Sequence, residues 1–273
     1  MNLMRAYVPV QPPVLQGETS DDHYRYREYA PSSRLEPYVA CYWTVDSSAA
    51  AGPPLHRIVP DGCVDIIVDL RASGSSKASF AVGLMTAFEA FRLTSDYSLF
   101  GIRFFADRAR LFLNYPVSEF TGSRILLEDI WGQEAKPFIE AVQSAGEAEE
   151  ATGRVEAVLL HKLQSRQPRT EPLLQAAMGY LYASKGALSV GALAEQLSYS
   201  ERTVRRVFQK ELGISPKELL DIIRFQCILQ EMHKGISPWR LTDIAAAYGY
   251  YDQSHWIGSF KRLYGLTPSQ VLK

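Results

Sequence analysis

Two stretches near the end of this chain repeat each other. Val204, Phe208, Gly213, Ile214, Ser215 and Pro216 are matched by Trp256, Phe260, Gly265, Leu266, Thr267 and Pro268, each 52 positions further on. The residues before them also repeat, with one insertion: Leu193-Ala194 against Ile244-Ala245. A repeat of this length is one supersecondary unit used twice, and it buries its apolar face only against a neighbour.

The unit reads as helix, tight turn, helix. In the first copy Ser189 is placed to cap a helix over 190–197, where Ala194 lets a second helix cross closely. Ser198-Tyr199 turns, and Ser200 caps the next helix. Val204, Val207 and Phe208 recur there at helical spacing until Gly213 stops it. In the second copy a helix over 242–248 leads into Gly249-Tyr250-Tyr251. Asp252 caps, and Trp256 and Phe260 face inward until Gly265. This spacing predicts a helix-turn-helix geometry. Pro216 begins a long helix to about residue 234 that joins the copies, with Leu219, Ile222, Ile223 and Leu229 packing to both sides.

Ile244-Ala245, Gly249-Tyr250, Ser254-His255, Phe260-Lys261-Arg262 and Gly265-Leu266-Thr267-Pro268 together resemble the DNA-binding domain of AraC/XylS-family transcription regulators. The resemblance runs from about residue 172 to the C-terminus. It implies double-stranded promoter DNA as a partner, and RNA polymerase as a further one. It also implies base contacts from Arg202, Arg205 and Arg206. Arginine bonds guanine O6 and N7 bidentately, worth about 1–3 kcal/mol of discrimination. Gln209, Lys210 and Arg224 are expected on phosphate, which positions without specifying. In the second copy Gln253, Ser254 and Ile257 match the base-contacting pattern. Gly258 departs from it, standing where relatives often carry arginine. Weaker base readout by the second copy follows, with Lys261 and Arg262 on the DNA backbone.

Charge alone would not have led here. Residues 171–273 carry 12 Lys/Arg against 9 Asp/Glu, and residues 1–170 carry 17 against 21. The informative feature is local: Arg202, Arg205, Arg206 and Lys210 lie on one helix. Its bland reading is a solvated face.

Residues 1–23, with Pro9, Pro12 and Pro13, read as an N-terminal arm. Between 24 and 105 the pattern is about seven short strands separated by turn residues, the signature of a small barrel or sandwich. Pro60-Asp61-Gly62 is a turn signal. After it Val64, Ile66 and Val68 alternate with Asp65, Ile67 and Asp69, and Asp65 is read as facing solvent. Arg57, Pro60, Asp61 and Gly62, with Gly101-Ile102-Arg103-Phe104, resemble the cupin-like domain that often precedes AraC-type DNA-binding domains. The fold expected is therefore α+β. A small cupin-like β-barrel with flanking helices (24–165) precedes a linker (166–172) and an all-α double helix-turn-helix domain (173–273).

A barrel that senses a small molecule needs inward aromatics and one or two polar anchors. Tyr42, Trp43, His56 and Arg103 are the candidates, with plain core packing and an Arg103–carboxylate pair as the competing reading. A metal-dependent cupin needs clustered His and carboxylate ligands. His23 and His56 stand alone among the strands, so no metal, cofactor or catalytic residue is expected. Cys41, Cys63 and Cys227 are odd in number and far apart, which reads as buried free thiols. Helices over 135–145 and 148–163 carry an apolar stripe, Val155, Val158, Leu159 and Leu163, with Lys162 outside it. That stripe serves either the barrel or a homodimer. No apolar run reaches membrane-spanning length and no signal sequence is evident, which places the chain in the cytoplasm with no membrane partner. The reading is a regulator, an activator by family habit. Its rivals are a ligand-independent DNA-binding protein whose barrel only dimerises, and an enzyme or repair protein with a borrowed DNA-binding domain.

Overall fold

The computed structural model describes residues 7–12, 24–48, 55–72, 78–92, 96–165, 171–233, 243 and 246–271. Most of the arm, most of the linker, and residues 242, 244 and 245 of the first helix read in the second repeat lie outside the described residues.

All seven strands read from the alternation form: β1 Tyr24–Tyr29, β2 Val39–Ser47, β3 Leu55–Ile58, β4 Cys63–Asp69, β5 Ser79–Val82, β6 Glu89–Arg92 and β7 Tyr97–Phe105. The apolar stretch 126–130 falls in two elements. Arg124–Leu126 becomes β8 on the edge of β5, and the chain enters a short helix at Leu127. The strands form an antiparallel six-stranded sheet in the order β1-β2-β7-β4-β5-β8, faced by the β3-β6 pair.

Because side chains alternate along a strand, the large sheet has two different faces. Tyr42, Val64, Ile66, Val68, Phe100, Ile102 and Phe104 are buried on one. There α1 (Ala106–Leu113) lays Ala109, Phe112 and Leu113 against the strands, with the Phe104 and Phe112 rings stacked 4.8 Å apart. The helices Ala135–Gln143 and Ala148–Ser165 add Phe138, Ile139, Val142, Val155 and Leu159 to the same core. The apolar stripe of this pair is thus used within the chain. Lys162 is a correction: it is buried, its ammonium paired with Glu134 and 4.0 Å from the Trp131 ring centroid.

The C-terminal half is helical: α2 Pro172–Ala183, α3 Val190–Leu197, α4 Glu201–Leu212, α5 Pro216–His233, α6 Gln253–Tyr264 and a last turn, Pro268–Val271. The caps are those the repeat encodes. Ser189, Ser200 and Asp252 accept from the backbone N–H groups of Ala192, Thr203 and His255. Gly213 and Gly265 end the two equivalent helices at φ 72° and 86°, where a Cβ would be strained. Val204, Phe208, Trp256 and Phe260 are buried, and Phe225 of α5 packs edge-on against Phe260, ring centroids 5.4 Å apart.

The halves meet through residues far apart in sequence. The Tyr7 hydroxyl donates to the Asp61 carbonyl (2.7 Å), while its ring stacks on Tyr182 of α2 at 4.8 Å. Gln226 of α5 is fully buried. Its side-chain oxygen accepts from the Val10 N–H and its amide donates to the Pro60 carbonyl, both at 2.7 Å. Gln11 exchanges two hydrogen bonds with Val59 and donates a third to Asp61. Each of these buried amide groups has a partner, as burial demands.

Candidate nucleic-acid interface and effector cavity

On α4 the spacing 202, 205, 206, 209 brings three arginines and a glutamine onto one side, opposite Val204, Phe208 and Leu212. Arg202, Arg205, Arg206, Gln209 and Lys210 are all exposed. Arg205 pairs with Glu201 one turn before it, and Gln209 donates to the Gly213 carbonyl at 3.3 Å. An exposed pair of this kind is worth a few tenths of a kcal/mol, which a phosphate or guanine outcompetes. Among the described residues Arg202 and Arg206 have no ion pair.

On α6 the equivalent side is sparser. Ser254 and Lys261 are exposed and Gln253 is half-buried. Ile257 is also half-buried and packs partly on the core, so only part of its side chain is free for a base. Gly258 faces open space, with nothing within 4 Å of where a Cβ would stand. Arg262 is exposed and engaged within the chain: it donates to the Thr86 carbonyl at 3.1 Å and lies 3.7 Å from Asp221.

Arg224 does not reach phosphate. It is 9% exposed, because α5 is buried on nearly every side from Ile222 to Leu229. Its Nε and Nη2 both donate to the Gly186 carbonyl, at 3.0 and 2.7 Å, and its guanidinium lies 5.0 Å from the Tyr250 ring centroid. It ties the loop before the first unit to the turn of the second.

Two exposed side chains are read in the sequence as turn residues and not as site candidates. Tyr199 (53% exposed) and Tyr251 (93% exposed) each directly precede the N-cap of α4 or α6. They occupy the same position of the 52-residue repeat, and that equivalence was the signal available for finding them.

The N-terminal half holds both helices by their C-terminal ends. Ser118 and Thr121 donate to the carbonyls of Lys210 and Leu212 (both 2.6 Å), and Arg110 pairs with Glu211. Arg57 donates to the Tyr264 carbonyl from between the Phe88 and Tyr264 rings. The N-terminal ends, with Arg202, Ser254 and the two tyrosines, stay exposed.

Between the second face of the large sheet and the β3-β6 pair lies a cavity of about 390 Å³. Trp43, His56 and Arg103 line it, and Tyr42 does not. Tyr42 and Trp43 are consecutive on β2, so they point to opposite faces. The Tyr42 ring is in the core against Phe100, with its hydroxyl donating to Glu156. Gly101 makes room for Trp43: a Cβ there would stand 1.9 Å from the indole. Arg103, 3% exposed, meets Asp61 (3.1 Å), Asp65 (3.3 Å) and Glu28 (3.4 Å). Asp65, read as solvent-facing, therefore points into the cavity and also accepts from the Trp43 indole at 3.2 Å. Burial, reinforced by the charge of Asp61 and opposed by Arg103, raises its carboxyl to about 6. Burial lowers His56 to about 4, and the Tyr24 hydroxyl lies 3.1 Å from its Nδ1.

Cys41, Cys63 and Cys227 are free and buried, and burial pushes each thiol up, Cys227 to about 11. Among the described residues no group of three or more His, Cys, Asp or Glu side chains is placed to hold a metal ion, and no helix is long and apolar enough to cross a membrane.

A family model described as "Helix-turn-helix domain" matches residues 193–273, and one described as "Domain of unknown function (DUF6597)" matches residues 27–126. The "Probable thc operon regulatory protein" of Rhodococcus erythropolis is 27% identical over 114 residues, 41% of this chain and 34% of that protein. An uncharacterized HTH-type transcriptional regulator of Haemophilus influenzae is 28% identical over 122 residues, 44% of this chain and 38% of that protein. The chain spans little more than a third of the length of either relative. Among solved structures, ToxT from Vibrio cholerae aligns over 92% of this chain and 98% of that chain, at a TM-score of 0.42 and 11% identity. The domain match over residues 193–273 agrees with the helix-turn-helix geometry that the repeat carries.

Proposed function

We propose that this chain, an AraC-type DNA-binding transcription regulator, reads promoter DNA mainly through α4 and is tuned by a small molecule in its cavity. The exposed row Arg202, Arg205, Arg206 and Gln209, backed by a buried apolar face, carries this reading. In it the arginines take guanine edges, and Gln209 and Lys210 take phosphates. The second helix enters the next major groove, about 34 Å along the duplex, with Gln253, Ser254 and Ile257 at bases and Lys261 on the backbone. Tyr199 and Tyr251 reach phosphate from the helix entrances.

Trp43, His56 and Arg103 are the effector contacts in this reading. The Pro60-Asp61-Gly62 turn, shared by the cavity wall and the α5 contact, carries the response. Activation, contact with RNA polymerase, a homodimer and a cytoplasmic location belong to the same reading, and no catalytic step does. Sequencing the DNA fragments that the purified protein retains tests it. Enrichment of one motif, lost in Arg205→Ala, is the expected result, whereas retention with no sequence preference would overturn it.

A further inference from the structure

At one end of the cavity Asp61 and Asp65 share the guanidinium of Arg103, among the described residues the one cation at that end, and Glu28, outside the lining, takes its third nitrogen; Glu89 adds a carboxylate to the wall. The other two arginines on the wall are engaged elsewhere. Arg57 turns toward Tyr264, and Arg124 lies at the exposed rim with its guanidinium 5.2 Å from the Phe80 ring centroid. An incoming carboxylate would have to displace one of three resident carboxylates to reach Arg103, and would then sit beside the other two.

The contacts of Arg103 with Asp65 and Glu28, at 3.3–3.4 Å, are long for charge-assisted hydrogen bonds, which run near 2.7–2.9 Å. Asp65 therefore keeps accepting capacity on the cavity side, and burial with Asp61 beside it leaves its charge poorly compensated. The same wall carries aromatic rings, which attract a cation: Tyr26 and Trp43, stacked 6.3 Å apart, and Tyr97. His56, held neutral by burial, adds no positive charge at neutral pH.

We infer that the cavity takes a small cationic hydrogen-bond donor with an apolar body, an amine or amidine, its charged head on Asp65 and its body against Trp43 and Tyr26. This rests on the effector reading above and fixes the ligand's chemical class. A donor on Asp65 competes with Arg103 for the same carboxylate. Arg103 then shifts toward Asp61, in the turn that meets Tyr7, Gln11 and α5.

The test is calorimetric titration of the full chain with 2-phenylethylamine and benzamidine, against phenylacetate, benzoate and neutral 2-phenylethanol. The cations are expected to bind, the anions about tenfold more weakly or worse, and Asp65→Asn to weaken the cations about tenfold. Glu28→Gln, at an exposed position outside the cavity lining, is expected to weaken them less, through its contact with Arg103. A cooperative melt of each variant shows that it is folded. Anions binding as well as cations, cation affinity unchanged in both variants, or no cation binding at all would each overturn the inference. Sequence-selective DNA retention by the same preparation is scored separately. Retention without cation binding sinks the ligand class and spares the regulator; cation binding without retention does the reverse.

Discussion

Where the first recognition helix carries Arg202, Arg205 and Arg206, the second carries Ser254, Ile257 and Gly258 at the same repeat positions. The buried sides are alike: Val204 and Phe208 in one, Trp256 and Phe260 in the other, with equivalent caps and glycine stops. The duplication has therefore kept what the fold needs and let the exposed side diverge. The protein also holds the two helices differently. The C-terminal end of the first is gripped by two hydroxyls and an ion pair, that of the second by one arginine between two aromatic rings and by the exposed Arg262 on the Thr86 carbonyl. On the proposed reading, the first helix reads sequence and the second sets position.

The largest effect that could break this comparison is in base discrimination. Arg205→Ala or Arg206→Ala should each cost about 1–3 kcal/mol on the preferred site and much less on unrelated DNA, measured by competition binding at fixed salt. Ser254→Ala and Ile257→Ala should stay within about 0.5 kcal/mol. Equal losses from both helices would erase the distinction.

A smaller effect concerns anchoring. Arg57→Ala removes a charged donor from the Tyr264 carbonyl and should cost about 1.5 kcal/mol in urea unfolding, with faster amide exchange in 253–264. Thr121→Val and Ser118→Ala should each cost about 1 kcal/mol and speed exchange in 201–212 instead. Exchange rising together in both helices would show that they are held as one body. An effect of similar size and opposite sign is expected at Gly258, where space is open. Gly258→Ala should stabilise by about 1 kcal/mol without changing DNA preference, and Gly258→Arg should sharpen preference at the second groove.

The repeat, the caps and the seven strands were legible because each is a local pattern, of period 3.6 or 2 or of one capping residue. The apolar faces of α4 and α6 followed directly. What was missed depends on partners with no local signature. Arg224 and Lys162 look like surface cations until Gly186, Tyr250, Glu134 and Trp131 fold around them. Asp65 was assigned to solvent because its strand alternates, but the opposite sheet face is a cavity wall. Alternation did say that Tyr42 and Trp43 could not both enter one cavity, and it left open which would. The contacts of Tyr7, Gln11 and Gln226 join residues more than 40 positions apart, and nothing in their neighbourhoods announces them.

The most direct test is a base-by-base substitution scan of the preferred site bound by the full chain. The account predicts that one groove segment, contacted by α4, tolerates few changes. A second segment about ten base pairs away should accept most bases yet weaken binding when removed. Equal intolerance in both segments, or dispensability of the second, would contradict it.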